Sequence, residues 1–92
     1  MLEAYYAKQF KRDIKRLEKS GQKDIERLKA IMTLLIEEKP LNVSHKDHAL
    51  KGNYKGRREC HIEPDWLLIY KIDNQDKAIF FERTGSHADL FE

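Results

Sequence analysis

Ninety-two residues carry eighteen Lys and Arg against sixteen Asp and Glu, a net charge of +2, with a single cysteine. That length predicts one domain over residues 1–92, and the lone Cys60 excludes an intramolecular disulfide framework and a multi-cysteine zinc site. The apolar run Ile31–Ile36 is interrupted by Thr33 and is too short for a bilayer, and Met1–Tyr5 lacks the basic flank and apolar core of a signal peptide; a soluble cytoplasmic chain without a membrane role is expected.

Leu2–Tyr5 reads as a short edge strand. Tyr6, Phe10, Ile14 and Leu17 then recur at helical spacing, with Lys8, Lys11, Arg12, Lys15, Arg16 and Lys19 between them as a polar face. Ser20-Gly21 ends this helix, Gly supplying a left-handed cap. A second helix presents Ile25, Leu28, Ile31, Met32 and Leu35, and stops before Pro40 because the residue preceding proline avoids helical geometry. A connection of about three residues makes the pair an antiparallel hairpin. Residues 40–57 read as an extended segment with turns at Gly52-Asn53 and Gly56.

The period then changes. Arg58–Glu63 alternates, Trp66–Ile72 is apolar on both faces like a covered central strand, and Lys77–Thr84 supplies a third strand. Glu63-Pro64-Asp65 and Asp73-Asn74-Gln75-Asp76 are turns between them, and His87–Phe91 is a short terminal turn or helix. The expected fold class is α+β: an N-terminal helix hairpin packed on a small antiparallel sheet of three strands.

The small net charge hides an uneven distribution. Residues 1–58 hold fifteen basic against eight acidic residues, +7, and residues 59–92 hold three against eight, −5. Such asymmetry suits a polyanion surface and equally suits solvated helices. Lys46, Lys51, Lys55, Arg57 and Arg58, with Tyr54 and Trp66 nearby, form a candidate basic and aromatic surface for a nucleic-acid strand.

The chemistry rests on histidines. With tight two-residue turns at Pro64-Asp65 and Asn74-Gln75, His61, Trp66 and Arg83 fall on one sheet face, with Asp65 and His87 at the same end. Imidazole exchanges protons near neutral pH, and a guanidinium neutralises charge growing on a phosphoryl group. RNA brings its own 2′-hydroxyl nucleophile, so a base, an acid and an anion clamp suffice, with no metal or other cofactor. His45-x-x-His48 alone is a weak metal pair.

Three strings in order, Lys46–Gly52, Arg58–Tyr70 and Arg83–Phe91, make the chain resemble the YafQ-type toxins of the RelE/ParE toxin–antitoxin superfamily. The resemblance covers essentially the whole chain. It implies a RelE-like fold and a ribosome-dependent mRNA endonuclease that cuts message in the 30S A site by 2′-hydroxyl attack. By the motifs Asp-His-x-Leu, His-x-x-Pro-Asp and Arg-Thr-Gly-Ser-His it implies catalytic roles for His48, His61, Asp65 and His87, phosphate binding by Arg83 and nucleotide packing by Phe91; Trp66 stands beside this set as a nucleotide-packing candidate. It also implies a small DinJ-type antitoxin that wraps the toxin and carries the complex to operator DNA. The alternatives are a ParE-like gyrase-directed toxin, whose relatives lack this histidine set, and a non-catalytic RNA- or ribosome-binding protein.

Overall fold

Helix α1, Lys8–Ser20, exists because Phe10, Ile14 and Leu17 line one stripe of it, and Gly21 at φ 66° closes its end. The computed structural model describes residues 1–91. The stripe begins later than the spacing predicts: Tyr6 belongs to the first strand, β1 (Glu3–Tyr6), and lies half-exposed. Asp24 caps α2, Ile25–Ile36, by accepting from the Glu26 backbone N–H at 3.0 Å. Leu28, Ile31 and Leu35 form the buried stripe of α2.

The sheet has five strands in the order β1-β5-β4-β3-β2, with β2 at His48–Ala49, β3 at Arg58–Glu63, β4 at Trp66–Asp73 and β5 at Ala78–Gly85. The three predicted strands are its antiparallel centre. β1 adds to β5 in parallel, and β2 adds two residues to β3. β1 pairs across more than seventy residues, and β2 is only two residues long, so periodicity reports neither pairing. A short helix, α3 (His87–Phe91), follows β5 directly.

The register differs from the tight-turn expectation in two places, and this changes which residues share a face. An irregularity at Ile62 shifts β3 by one, so His61 opposes Leu67 rather than Leu68. The β4–β5 connection spans residues 74–77, and a second irregularity at Glu82 places Arg83 opposite Ile69. His61 and Arg83 still share a face, but Trp66 moves to the other.

That other face is the core. Cys60, Ile62, Trp66, Leu68, Tyr70, Ile79 and Phe81 pack against Phe10, Leu17, Leu28, Ile31 and Leu35 of the helices. Trp66 is 0 % exposed, its indole N–H donates to Thr84 Oγ1 at 3.0 Å, and Lys23 Nζ lies 5.7 Å from its ring. The expectation that Trp66 packs on a nucleotide is therefore corrected: it is a core residue, too deeply covered to meet a base. Burial also pushes the Cys60 thiol up to about 12, leaving it protonated and shielded. The opposite face carries a smaller cluster of Leu67, Ile69 and Leu90, roofed by Leu50 and Tyr54. No helix among the described residues is long and apolar enough to cross a membrane.

Candidate active site

The paired strands set three histidines side by side at one end of the smaller-cluster face. His48 on β2 pairs across from Glu59 on β3, and His61 stands two residues further along β3. His61 opposes Leu67, Leu67 opposes Gly85, and His87 follows as the first residue of α3. The ring centres of His48 and His61 are 6.4 Å apart, those of His61 and His87 are 5.9 Å apart, and Phe91 follows His87 at 6.4 Å. Tyr54 closes the row edge-on to Phe91 at 5.4 Å.

Each ring is anchored through the same atom. Nδ1 of His48 lies 2.6 Å from the Lys46 carbonyl, Nδ1 of His61 lies 3.3 Å from the Pro64 carbonyl, and Nδ1 of His87 lies 2.6 Å from Asp65 Oδ1. A carbonyl can only accept, so Nδ1 of His48 and His61 carries the proton. Asp65 is held below the usual carboxylate range, first by the His87 backbone N–H at 2.9 Å and then by the imidazole. It too is an acceptor, so all three rings are held through Nδ1.

Glu59 lies among them, 6 % exposed, with Oε2 at 3.2 Å from His48 Nε2 and 3.8 Å from His61 Nε2. With Nδ1 already committed, His48 donates to Glu59 only as imidazolium. Among the described residues, no group of three or more His, Cys, Asp and Glu is arranged to hold a metal ion.

The family model of the bacterial YafQ toxins of type II toxin–antitoxin systems matches residues 2–92. The mRNA interferase toxin YafQ of Escherichia coli strain K12 is 51% identical over 87 residues, 94% of this chain and 91% of the relative. YafQ from E. coli BL21(DE3) superposes with a TM-score of 0.92 at 45% identity, covering 100% of both chains. The E. coli DinJ–YafQ complex superposes with a TM-score of 0.90 at 46% identity, again over 100% of both. The chain belongs to the YafQ toxin family.

The other residues expected from the family motifs sit as follows. Phe91 is 43 % exposed next to His87. Arg83 lies further along the same face, its Nε donating to Asp13 Oδ2 at 2.8 Å, and this pairing holds its guanidinium above the ordinary value. Lys46, Lys51 and Lys55 are exposed on the segment that carries His48. Arg57 and Arg58 are half-buried and already paired, Arg57 with Glu82 and Arg58 with Asp47 at 3.3 Å. The expected basic surface is thereby reduced chiefly to its lysines.

Several supporting groups were not apparent from the pattern. Glu59 reads as a polar-face strand residue. Asp47 accepts from the Tyr70 hydroxyl at 2.5 Å and bonds Arg58, tying the chain just ahead of His48 to the sheet. His45 donates from Nδ1 to the His61 carbonyl at 2.7 Å. Only the Asp47-His48 adjacency hinted at any of this.

Asp65 gives a test of the anchoring. Asp65→Asn is expected to lower cleavage on the order of tenfold, because an amide that presents N–H to Nδ1 turns the ring or its tautomer. Since the Asp65 pKa is lowered, its contact with His87 is intact above the ordinary Asp value of about 3.9 and is lost only as pH falls through the lower native value. The Asp65 carboxylate is therefore ionised throughout pH 5 to 8, and the variant should be slower than the wild type across that range. Equal rates would remove Asp65 from the site.

Proposed function

We propose that the histidine row cleaves mRNA held by the ribosome, and that this is how the chain acts as the mRNA interferase toxin of a type II toxin–antitoxin pair. One observation carries the reading: three neighbouring imidazoles are all fixed through Nδ1, so that proton transfer falls to Nε2, which in His48 and His61 faces the Glu59 carboxylate. Ring centres about 6 Å apart let two of them reach different oxygens of one phosphodiester through ordinary hydrogen bonds.

In the proposed step the 2′-hydroxyl attacks the adjacent phosphorus. The new P–O bond closes a 2′,3′-cyclic phosphate, and the P–O bond to the 5′-oxygen breaks. One of His48 and His61, the rings on either side of Glu59, takes the single 2′-hydroxyl proton on Nε2. His87, steadied by Asp65, gives a proton to the departing 5′-oxygen. Arg83 balances charge on the phosphoryl oxygens, and Phe91 packs on a nucleotide. No cofactor is needed for this sequence.

A small domain has little surface with which to hold a long message, so binding falls to the ribosome. Lys46, Lys51 and Lys55 beside His48 suit ribosomal RNA at the A site. The E. coli relative is found in complex with DinJ. We assign this chain a DinJ-type antitoxin partner, with operator DNA reached through that complex only. Induced expression followed by primer extension on a reporter mRNA tests the reading: cuts are expected at fixed positions within the reading frame, and an uncut message would overturn it.

A further inference from the structure

Helix α1 carries one residue that violates its own pattern. Asp13 lies on the buried stripe between Phe10 and Leu17 and is 0 % exposed. A carboxylate in that position is unstable unless charged and polar partners surround it. Five donors approach it. Arg83 Nε lies 2.8 Å from Oδ2 and Nη2 lies 3.3 Å from Oδ1. The Thr84 backbone N–H lies 3.1 Å from Oδ2, Gln9 Nε2 lies 3.3 Å from Oδ1, and Arg16 Nη2 lies 3.5 Å from Oδ1.

The two-pronged contact holds Arg83 by the edge of its guanidinium and leaves the Nη1 donors uncommitted to Asp13. Arg83 remains 27% exposed on the face that carries His61. The same network reaches α3. Arg16 Nη2 also lies 3.5 Å from Asp89, whose carboxylate accepts from the Ser86 backbone N–H at 3.0 Å and so caps the turn that bears His87 and Phe91. The backbone at Gly85, φ 158°, passes so near that a Cβ there would stand 3.0 Å from Asp89 Oδ2 and 3.1 Å from Arg16 Nη2. A carboxylate used only to fasten a helix would not need both prongs of the arginine on the sheet face where the histidines stand.

We propose that Asp13 is a positioning residue for RNA cleavage: it holds the Arg83 guanidinium so that the remaining N–H groups are set for the scissile phosphate. This rests on the reading of Arg83 as the phosphate clamp. Misplacement of such a group by about 1 Å costs on the order of 10²-fold in rate. The effect belongs to kcat and not to KM, because the change leaves the proposed docking lysines, Lys46, Lys51 and Lys55, in place.

Two measurements test it. In the first, cleavage of ribosome-bound mRNA by the purified chain is followed for the wild type, Asp13→Asn, Arg83→Gln and the double variant, below all their unfolding temperatures. Asp13→Asn should lower kcat on the order of 10²-fold alone with KM unchanged, and by less than about twofold when Arg83 is already glutamine. Equal factors in both backgrounds, or no loss with Arg83 intact, would overturn the inference. Wild-type kcat in Arg83→Gln would instead remove the clamp on which it rests, so the two failures are distinct. The second needs no variant that folds: the guanidinium NMR signals of Arg83 in the wild type should show slowed rotation about Nε–Cζ. Fast averaging there would overturn the inference alone.

Discussion

His87→Ala is expected to slow cleavage of ribosome-bound mRNA by about 10²- to 10⁴-fold, the usual contribution of a positioned acid or base. The fold should survive. The His87 side chain is 55% exposed, and the anchor of α3 at that point is the backbone N–H to Asp65, which alanine keeps. Surface truncations of this kind usually change stability by less than about 0.5 kcal/mol. His87→Gln sharpens the test: it restores bulk and a hydrogen bond but cannot exchange a proton at neutral pH, so it should be nearly as inactive as alanine. Wild-type cleavage by either variant would remove His87 from the mechanism. The result also separates the alternatives. A non-catalytic ribosome binder would be weakened by loss of Lys55 and indifferent to His87, and a gyrase-directed toxin would induce a DNA-damage response with intact message.

Trp66→Ala is expected to cost about 3–5 kcal/mol of stability, the range for deleting a buried aromatic. Domains of this kind have about 5–15 kcal/mol in total, so the variant should be marginally folded or unfolded at 37 °C. The loss combines the indole's contacts in the main cluster with its hydrogen bond to Thr84 Oγ1. Thr84 itself keeps a partner, since its hydroxyl donates to the Leu67 carbonyl at 2.8 Å. Trp66→Phe should keep most of the packing and lose about 1–2 kcal/mol, with kcat near wild type for the folded fraction. Urea titrations of both variants check the stabilities. A phenylalanine variant of native stability with strongly reduced cleavage would reinstate Trp66 as a nucleotide contact.

Both expectations turn on which face of the sheet a residue occupies, and here sequence and structure part company. The two helices and three central strands were legible because apolar residues recur at a period of 3.6 in the helices, alternate in Arg58–Glu63, and run continuously between turn residues in Trp66–Ile72 apart from Lys71. Facing was not. Irregularities at Ile62 and Glu82 each change the pairing by one residue without altering composition, and one step of register sends Trp66 to the opposite face. Tyr6 kept a helical phase with Phe10 yet belongs to β1, because pairing with β5 overrides local spacing.

The motif residues of the candidate site can be named from the sequence, and the groups that surround them cannot. His48, His61, Asp65, His87, Arg83 and Phe91 came from the family motifs, and all lie on or beside one face. Asp13 and Glu59 were invisible because a pattern reading assigns charged residues to the solvent side. Their burial becomes intelligible only once Arg83, His48 and His61 are seen around them. Glu82, the partner of Arg57, lies on another strand, and Asp47, inside the basic segment itself, pairs with Arg58 only because the β2–β3 pairing brings them together. The charge split of +7 and −5 is thus partly offset by ion pairs formed on folding, while Lys46, Lys51 and Lys55 stay exposed beside His48.

The central claim is that the Nε2 atoms of this histidine row move the protons of a 2′-hydroxyl attack. It is tested most directly by placing in the ribosomal A site an mRNA with one 2′-deoxynucleotide on the 5′ side of the cleaved bond. The substituted message should remain intact, while the all-ribose message should yield a 2′,3′-cyclic phosphate and a 5′-hydroxyl. Cleavage of the 2′-deoxy bond at a comparable rate would contradict the mechanism.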